Sequence, residues 1–332
     1  MTSQFFDGAE LGTTQMLSSF GGTEVIATTE QKRSGLYSYR LKEFFGQSWI
    51  RVDFPASSEE FFRVAVFFTV AGDTNQIIQI RNSTTALISI GMSGSSFYVK
   101  VGSTAVAYGT APYKTNDWNL LEIRTKISDS GGVVQVKIDG ILDIEYVGDT
   151  KPGAQTTIDN LYVINPAGGY VYVDDIAIND TNGDYDNSWR GDGHVLYLPT
   201  NAAGDQAGLT PSAGLNYQCV DEVPNNGDTD YVDGTTLDTY DLYHAAASGL
   251  TSDSVVTHVR SVVVAKDTVA NGGKIAIGLK TGGIEYWGGD IVLTTAYTAE
   301  EGTDYTLNPK TGLAWTIADI DGIQPGAKTR GS

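Results

Sequence analysis

Residues 133–146 read VVQVKIDGILDIEY, two alternating apolar runs on either side of Asp139 and Gly140. An Asp-Gly pair is the strongest short hairpin signal, because a type I′ turn needs positive φ at both central positions. Val134, Val136 and Ile138 then share one face, with Gln135 and Lys137 on the other. Past the turn, Leu142, Ile144 and Tyr146 share a face opposite Asp143 and Glu145. Side chains of a strand alternate with period two, so this segment reads as a ribbon with one buried and one solvated face.

The same period extends outward to 61–70 (FFRVAVFFTV), 75–81 (NQIIQIR), 86–90, 97–101, 118–127 (WNLLEIRTKI), 161–164 and 170–178 (YVYVDDIAI). These runs are short, rich in Val, Ile, Tyr and Phe, and separated by clusters of Gly, Asn, Asp and Ser. That combination predicts antiparallel strands in a sandwich rather than βαβ units. Single helical turns are expected only near 57–61 and 317–320. The pattern stops at 180–187 (DTNGDYDN) and restarts with a strand at 193–198 (GHVLYL), which predicts two domains, 1–180 and 181–332. In the second domain, long polar loops at 199–216 and 221–239 surround strands at 255–265, 274–280, 284–287 and 291–297. The 255–265 run has Val255, Val259 and Val263 on one face and Val256, Val262 and Val264 on the other. Burial of both faces needs a covering layer, so a homo-oligomer or array contacting through this domain is expected. The fold class is all-β: two β-sandwich, jelly-roll domains.

Composition narrows the function. Of 332 residues, 40 are acidic and 21 basic, a net charge of -19. Nucleic-acid binding without sequence preference needs a Lys/Arg footprint, and docking on anionic membranes needs basic clusters, so neither partner is expected. The first residues, MTSQFFDGAELG, lack the basic and apolar regions of a secretory signal, and no apolar run approaches the ~20 residues of a membrane span. The expectation is a soluble protein synthesised in a host cytoplasm. A lone cysteine, Cys219, excludes an internal disulfide framework and reads as a buried thiol.

Several phrases resemble known families. SGLYSYRL (34–41), the long segment from Trp118 to Tyr146, IDNLYVIN and VYVDDIAIND resemble, in that order, a concanavalin A-like or laminin-G-like jelly roll over roughly residues 1–180. This implies the fold of the first domain and leaves function open, because the fold hosts lectins, hydrolases and structural modules. In the second domain, WRGDGHVLYLPTNAAGDQAGLTPSAGLNYQCVDEVPNNGDTDYV and NPKTGLAWTIADIDGIQPGAK resemble the C-terminal module of minor structural proteins of tailed bacteriophages. That resemblance implies a virion component whose partners are other virion proteins.

Candidate chemistry is sparse. Laminarinase-type members of the concanavalin A-like fold carry Glu-x-Asp-x-Glu on one strand, a spacing suited to an acid and a nucleophile across a sugar bond. Here Asp143 and Glu145 are preceded by Ile141 where the first Glu would stand, and the pair reads as a solvated strand face. His194, His244 and His258 have neither a nucleophile motif nor zinc spacing near them. Asp180, Asn182, Asp184 and Asp186 place oxygens at alternate positions, as calcium loops do, although Gly183 stands fourth and no Glu closes a twelve-residue loop. Asp221, Glu222, Asp228, Asp230 and Asp233 form a second acidic loop, read as solvated turn acids. Arg190, Gly191 and Asp192 spell an adhesion tripeptide that arises easily by chance. Trp49, Tyr108, Tyr113 and Tyr170 are the candidate rings for carbohydrate recognition, Trp118 being assigned to the core.

Together these readings predict a non-enzymatic structural component of a tailed-bacteriophage virion, as head decoration or at the neck or tail, with a host-surface glycan as a further partner. The alternatives are a carbohydrate-binding receptor module and, more distantly, a glucanase-like hydrolase.

Overall fold

The run FFRVAVFF lacks the alternation of a half-buried strand, and it is buried along its whole length. Such a strand needs cover on both sides. The computed structural model describes residues 3–331 apart from 44–45, 71–75, 166–167, 184 and 271. The chain divides into two compact units, Met1–Leu196 and Tyr197–Ser332. The division thus falls later than the expected break at 180/181.

The strands of the first unit are β1 (Ser3–Asp7), β2 (Ser19–Gly21), β3 (Glu24–Thr28), β4 (Ser38–Lys42), β5 (Ser48–Ser57), β6 (Glu59–Phe68), β7 (Gln76–Asn82) and β8 (Thr85–Ser93). They continue with β9 (Ser96–Val101), β10 (Thr104–Pro112), β11 (Trp118–Lys126), β12 (Gly132–Ile138), β13 (Ile141–Gly148), β14 (Ile158–Asn165) and β15 (Tyr170–Asp180). The expected run at 75–81 begins at Asn75, outside the described residues. One antiparallel sheet of eight strands has the order β13-β12-β11-β6-β15-β4-β3, with β1 also paired to β15. The other has seven, in the order β10-β9-β8-β7-β14-β5-β2. Phe62, Val64, Val66 and Phe68 of β6 share one core cluster with Ile78, Ile80, Ile88 and Ile90 of β7 and β8. Each such side chain contributes about 1.5–3 kcal/mol when buried. The hairpin that opened the reading is present: Asp139 and Gly140 have φ of 50° and 82°, and Ile138 pairs directly with Ile141.

The other face of β6 is covered by the segment that follows β15. The Trp189 ring stands edge-on to Phe61 at 5.3 Å, with Lys137 Nζ 4.1 Å from its centroid. Gly191 N donates to Glu122 Oε1 at 2.7 Å, and Val195 N donates to Asp175 Oδ1 at 2.8 Å. Arg63 Nε donates to the Asp175 carbonyl, and a Cβ on Gly193 would fall 2.0 Å from Arg63 Nη1. Residues 186–195 therefore form a strap, and the strand expected at 193–198 is absent: the Val195 N–H is taken by the Asp175 side chain and the Gly193 N–H by the Gly191 carbonyl. The adhesion tripeptide lies inside this strap. Arg190 pairs with Asp186 at 3.0 Å with its side chain 6% exposed, and Asp192 pairs with Arg33.

The second unit is also mostly β: β16 (Thr200–Ala207), β17 (Thr210–Pro211), β18 (Val232–Asp233), β19 (Tyr240–Ala245), β20 (Val262–Ala265), β21 (Lys274–Thr281), β22 (Ile284–Val292), β23 (Thr298–Glu301) and β24 (Gln324–Arg330). One sheet has the order β16-β19-β24-β21-β22, beside two ribbons, β17-β18 and β20-β23. The layer over Leu279 of the sheet is built from Trp315, Ile320, Ile323, Val256, Val259 and Tyr305. Ile320 lies on helix α1 (Ile317–Asp321), the expected turn, closed by a capping box between Thr316 and Asp319. The turn expected at 57–61 is instead the junction of β5 and β6. β16 lies where a polar loop was expected. It is an edge strand with no apolar alternation, so its sequence carried no strand signal.

The 255–265 strand is shorter than its valines suggest. Only 262–265 are strand, Val259 forms an isolated bridge with Tyr305, and Val255 is 83% exposed. The partner strand β23 has four residues, so the ladder ends where its partner ends. The two-faced burial from which self-association was inferred is therefore missing at Val255.

Several acids are buried in the first unit. Glu10 accepts from the N–H groups of Leu36 and Tyr37, and Asp174 from those of Arg33 and Ser34, which ties the 33–37 loop to β15. Burial pushes the Glu10 carboxyl up to about 7, and burial with the neighbouring Asp175 charge raises that of Asp174. Glu60, fully buried on β6, is pushed up to about 8, chiefly by burial and further by the charge of Asp180. Between an unfolded value of about 4.3 and this raised one, the folded chain holds a proton that the unfolded chain has released.

Two outcomes are expected. Stability of the chain falls as pH rises from about 4.5 to about 8, and Glu60→Gln flattens that slope, raising the melting temperature at pH 8 with little change at pH 5. Thermal melts of both proteins across this range check the sign. A fragment of residues 1–196 unfolds cooperatively and is more stable than 1–180 by about 2–4 kcal/mol, because losing the strap exposes Phe61 and leaves Glu122 without its donor. Equal denaturant midpoints for the two fragments would show that the strap adds nothing.

Candidate functional site

The seven-stranded sheet turns one face to the core and lines up polar and aromatic side chains on the other. Its register puts Arg51, Tyr162, Gln79, Ser89, Lys100 and Ala105 in one row across β5, β14, β7, β8, β9 and β10. Four strand spacings separate Arg51 from Lys100, roughly 19 Å. On one side of the row stand Asp53, Asn160 and Arg81. On the other side stand Trp49 beside Ile164, and then Gln76, Gly91, Tyr98 and Tyr108.

Two glycines make room for rings. A Cβ on Gly21, paired with Trp49, would lie 2.8 Å from the indole, and one on Gly91, paired with Tyr98, would lie 2.6 Å from the phenol. Each ring therefore crosses its neighbouring strand over a residue without a side chain. Trp49 and Tyr162 have centroids 5.1 Å apart, and Tyr98 and Tyr108 are 5.8 Å apart. The Arg81 guanidinium carbon sits 3.8 Å from the Tyr162 centroid, and its Nε donates to Gln79 Oε1 at 2.9 Å. Burial, together with the nearby charge of Arg51, holds this guanidinium below its usual range. Arg51 pairs with Asp53. Lys100 Nζ is 5.4 Å from the Tyr98 centroid. Among the described residues, no carboxylate forms an ion pair with Arg81 or Lys100.

The four rings singled out in the sequence do not gather. Trp49 and Tyr108 lie on this face, near opposite edges, Tyr108 being 63% exposed. Tyr113 packs against Phe68 and Phe97 at the rim of the core, its hydroxyl donating to the Gly94 carbonyl at 2.9 Å. Tyr170 belongs to the eight-stranded sheet, beside Tyr172, with Arg40 and Lys42 near its ring. Tyr162, Tyr98, Gln79, Arg81 and Lys100 were missed. The available signal was the polar or aromatic member of each alternation in NLYVIN, QIIQIR and FYVKV, and reading it required the strand order. The second unit has its own ring pair, Tyr240 and Trp287, but Glu285 accepts from both, at 3.1 and 3.0 Å.

The calcium candidates are occupied by local bonds. Asp180 accepts from the backbone N–H and side-chain amide of Asn182, Asp186 pairs with Arg190, and Asp184 lies outside the described residues. Among the described residues no three acidic, His or Cys side chains converge as metal ligands. In the second acidic loop, Asp228 accepts from Lys266 and Tyr297, and Asn226 donates to Asp230. Cys219 is buried with a free thiol, His194 lies beside Asp175 at 3.5 Å, and His258 has Thr257 Oγ1 within 3.4 Å of Nδ1.

No protein-family profile matches the chain, and no curated protein matches it. Among solved structures, it is similar to an endo-β-1,4-glucuronan lyase from the fungus Trichoderma reesei (13% identity, 54% of this chain, 95% of that one, TM-score 0.42). It is also similar to Cip1, a cellulose-induced protein (15% identity, 53% and 96%, TM-score 0.42). A third is a conserved carbohydrate esterase of the Shiga toxin-encoding bacteriophage phi24B (16% identity, 57% and 100%, TM-score 0.41).

The carboxylates considered for glycoside hydrolysis have different local roles. Lys137 pairs with Leu142 and Val136 with Ile144, so Asp143 is the extra residue of a β-bulge. Bulges re-aim side chains. Asp143 Oδ1 accepts from Thr110 N at 2.9 Å, Thr110 Oγ1 at 3.1 Å and Ala111 N at 2.8 Å, joining the edge of one sheet to the edge of the other. A Cβ on Gly109 would fall 1.9 Å from Asp143 Oδ2, so the residue beside the staple is glycine. The expectation of a solvated face therefore fails for Asp143. It holds for Glu145, which is exposed and accepts from Gln135. Asp143→Ala is expected to destabilise the protein by about 1–3 kcal/mol, by stranding two backbone donors. Glu145→Ala should change stability by no more than about 0.5 kcal/mol. Urea unfolding of the two variants checks the contrast.

Proposed function

We propose that the first unit binds carbohydrate on the outer face of the seven-stranded sheet. The observation that carries this reading is the pair of half-buried rings Trp49, seated over Gly21, and Tyr162 beside it, on a face that also offers Gln76, Gln79, Arg51 and Lys100 as hydrogen-bonding groups. A sugar ring has an apolar C–H face and a rim of hydroxyls. Flat aromatic rings with planar amides between them suit both, much as amphipathic aromatic side chains serve protein interfaces.

We further propose that the chain is a non-enzymatic component of a tailed-bacteriophage particle, as head decoration or at the neck or tail, with virion proteins as partners. The support is the likeness of segments 189–232 and 308–328 to minor virion proteins. The glycan-binding unit would then face the host surface.

Binding to a glycan array, followed by calorimetry on the best ligand, tests the first proposal. Trp49→Ala and Tyr162→Ala should each weaken binding by about tenfold or more. Tyr170→Ala, on the other sheet, should leave it unchanged. Absence of binding across the array, or loss confined to Tyr170→Ala, would overturn the assignment of this face. Release of reducing ends from the bound glycan would overturn the non-enzymatic part.

A further inference from the structure

Charge on this face runs against the charge of the chain. Residues 1–180 hold thirteen basic and twenty acidic side chains, yet the three rows across the seven-stranded sheet hold Arg51, Arg81 and Lys100 against the single acid Asp53. Asp53 is already paired with Arg51. That leaves Arg81, over the Tyr162 ring, and Lys100, beside Tyr98, as cations with no carboxylate of their own. Arg81 follows Gln79 by two residues on β7, and Gln79 pairs across the sheet with Ser89, the partner of Lys100.

A guanidinium held against a ring has lost part of its water, and an unpaired, partly desolvated cation gains most from an incoming anion. The nearest comparison lies on the eight-stranded sheet. There Arg40, beside Tyr170, is already paired with both Glu24 and Glu30, and Arg124, beside Phe61, is paired with Glu59. Arg40 and Arg124 are thus neutralised within the chain, whereas Arg81 and Lys100 have no such carboxylate among the described residues.

We infer that the ligand of this face is an acidic glycan, whose carboxylate or sulfate groups meet Arg81 and Lys100 while its sugar rings lie on Trp49 and Tyr162. This inference rests on the carbohydrate reading above and names its ligand class. Two unpaired cations on a chain of charge -19 suit a sparsely charged ligand better than a nucleic acid, whose binding draws on many phosphate contacts.

The test uses the full chain and matched ligands: uronic-acid oligosaccharides, the same oligosaccharides with carboxyls reduced to hydroxymethyl groups, a sulfated oligosaccharide with its desulfated form, and a single-stranded oligonucleotide. In at least one pair the acidic member should bind about tenfold tighter than its neutral form, and the pair with the larger gap identifies the acidic group. Arg81→Gln and Lys100→Gln should each narrow that gap, weakening the acidic member by a larger factor than the neutral one. The wild-type comparison stands even if Arg81→Gln disturbs Tyr162, and Lys100→Gln alters a side chain outside the core. Equal affinity for acidic and neutral forms in both pairs, or a gap that survives both substitutions, overturns the inference and leaves the carbohydrate reading intact. Binding of no oligosaccharide, acidic or neutral, overturns both. Tighter binding of the oligonucleotide than of any oligosaccharide overturns it in favour of a nucleic-acid ligand.

Discussion

Burial of β6 on both faces is the constraint on which the first unit depends. One face of FFRVAVFF meets the seven-stranded sheet through Phe62, Val64, Val66 and Phe68. The other presents Phe61 and Arg63, a ring and a charge that cannot be left together under bare solvent or bare hydrocarbon. The strap resolves this with Trp189 over Phe61 and Gly193 against Arg63, while the Asp175 carbonyl accepts a hydrogen bond from Arg63 Nε. The unit therefore runs to Leu196. Its eight-stranded sheet is partly covered by its own chain.

Much of the fold was legible in local pattern. Period-two alternation located most strands of the first unit, and Asp139 with Gly140 placed a hairpin that the positive φ values bear out. What escaped was held by long-range chemistry. The strap has the composition of a linker, and its role follows from Glu122 and Asp175, more than a dozen residues away in sequence. The bulge at Asp143 shifts register by one residue, which alternation cannot register. β16 is small and polar because it is an edge strand. The valines of 255–265 misled for the opposite reason: hydrophobic side chains were present, but the partner backbone of β23 extends for only four residues.

The candidate site divides along the same line. Trp49 and Tyr108, named as candidate rings from the sequence, lie on this face, whereas Tyr113 was indistinguishable from them in sequence although it closes the core. Gln79, Arg81, Lys100, Tyr98 and Tyr162 become a site only through the strand order β9-β8-β7-β14-β5, which no local signal reports. Glycine carries more information than the aromatics here. Gly21 and Gly91 mark where a ring crosses to the next strand, and a cross-strand pairing of glycine with an aromatic residue is the signal that links them.

The central claim is that ligand lies across the outer face of the seven-stranded sheet. Side-chain footprinting by carbene labelling and mass spectrometry, with and without a bound oligosaccharide, tests it most directly. The account predicts masking of peptides that contain Trp49, Tyr162 and Lys100, with Tyr170 and Trp287 labelled equally in both states. Masking confined to Tyr170 or Trp287, with the seven-stranded sheet unchanged, would contradict it.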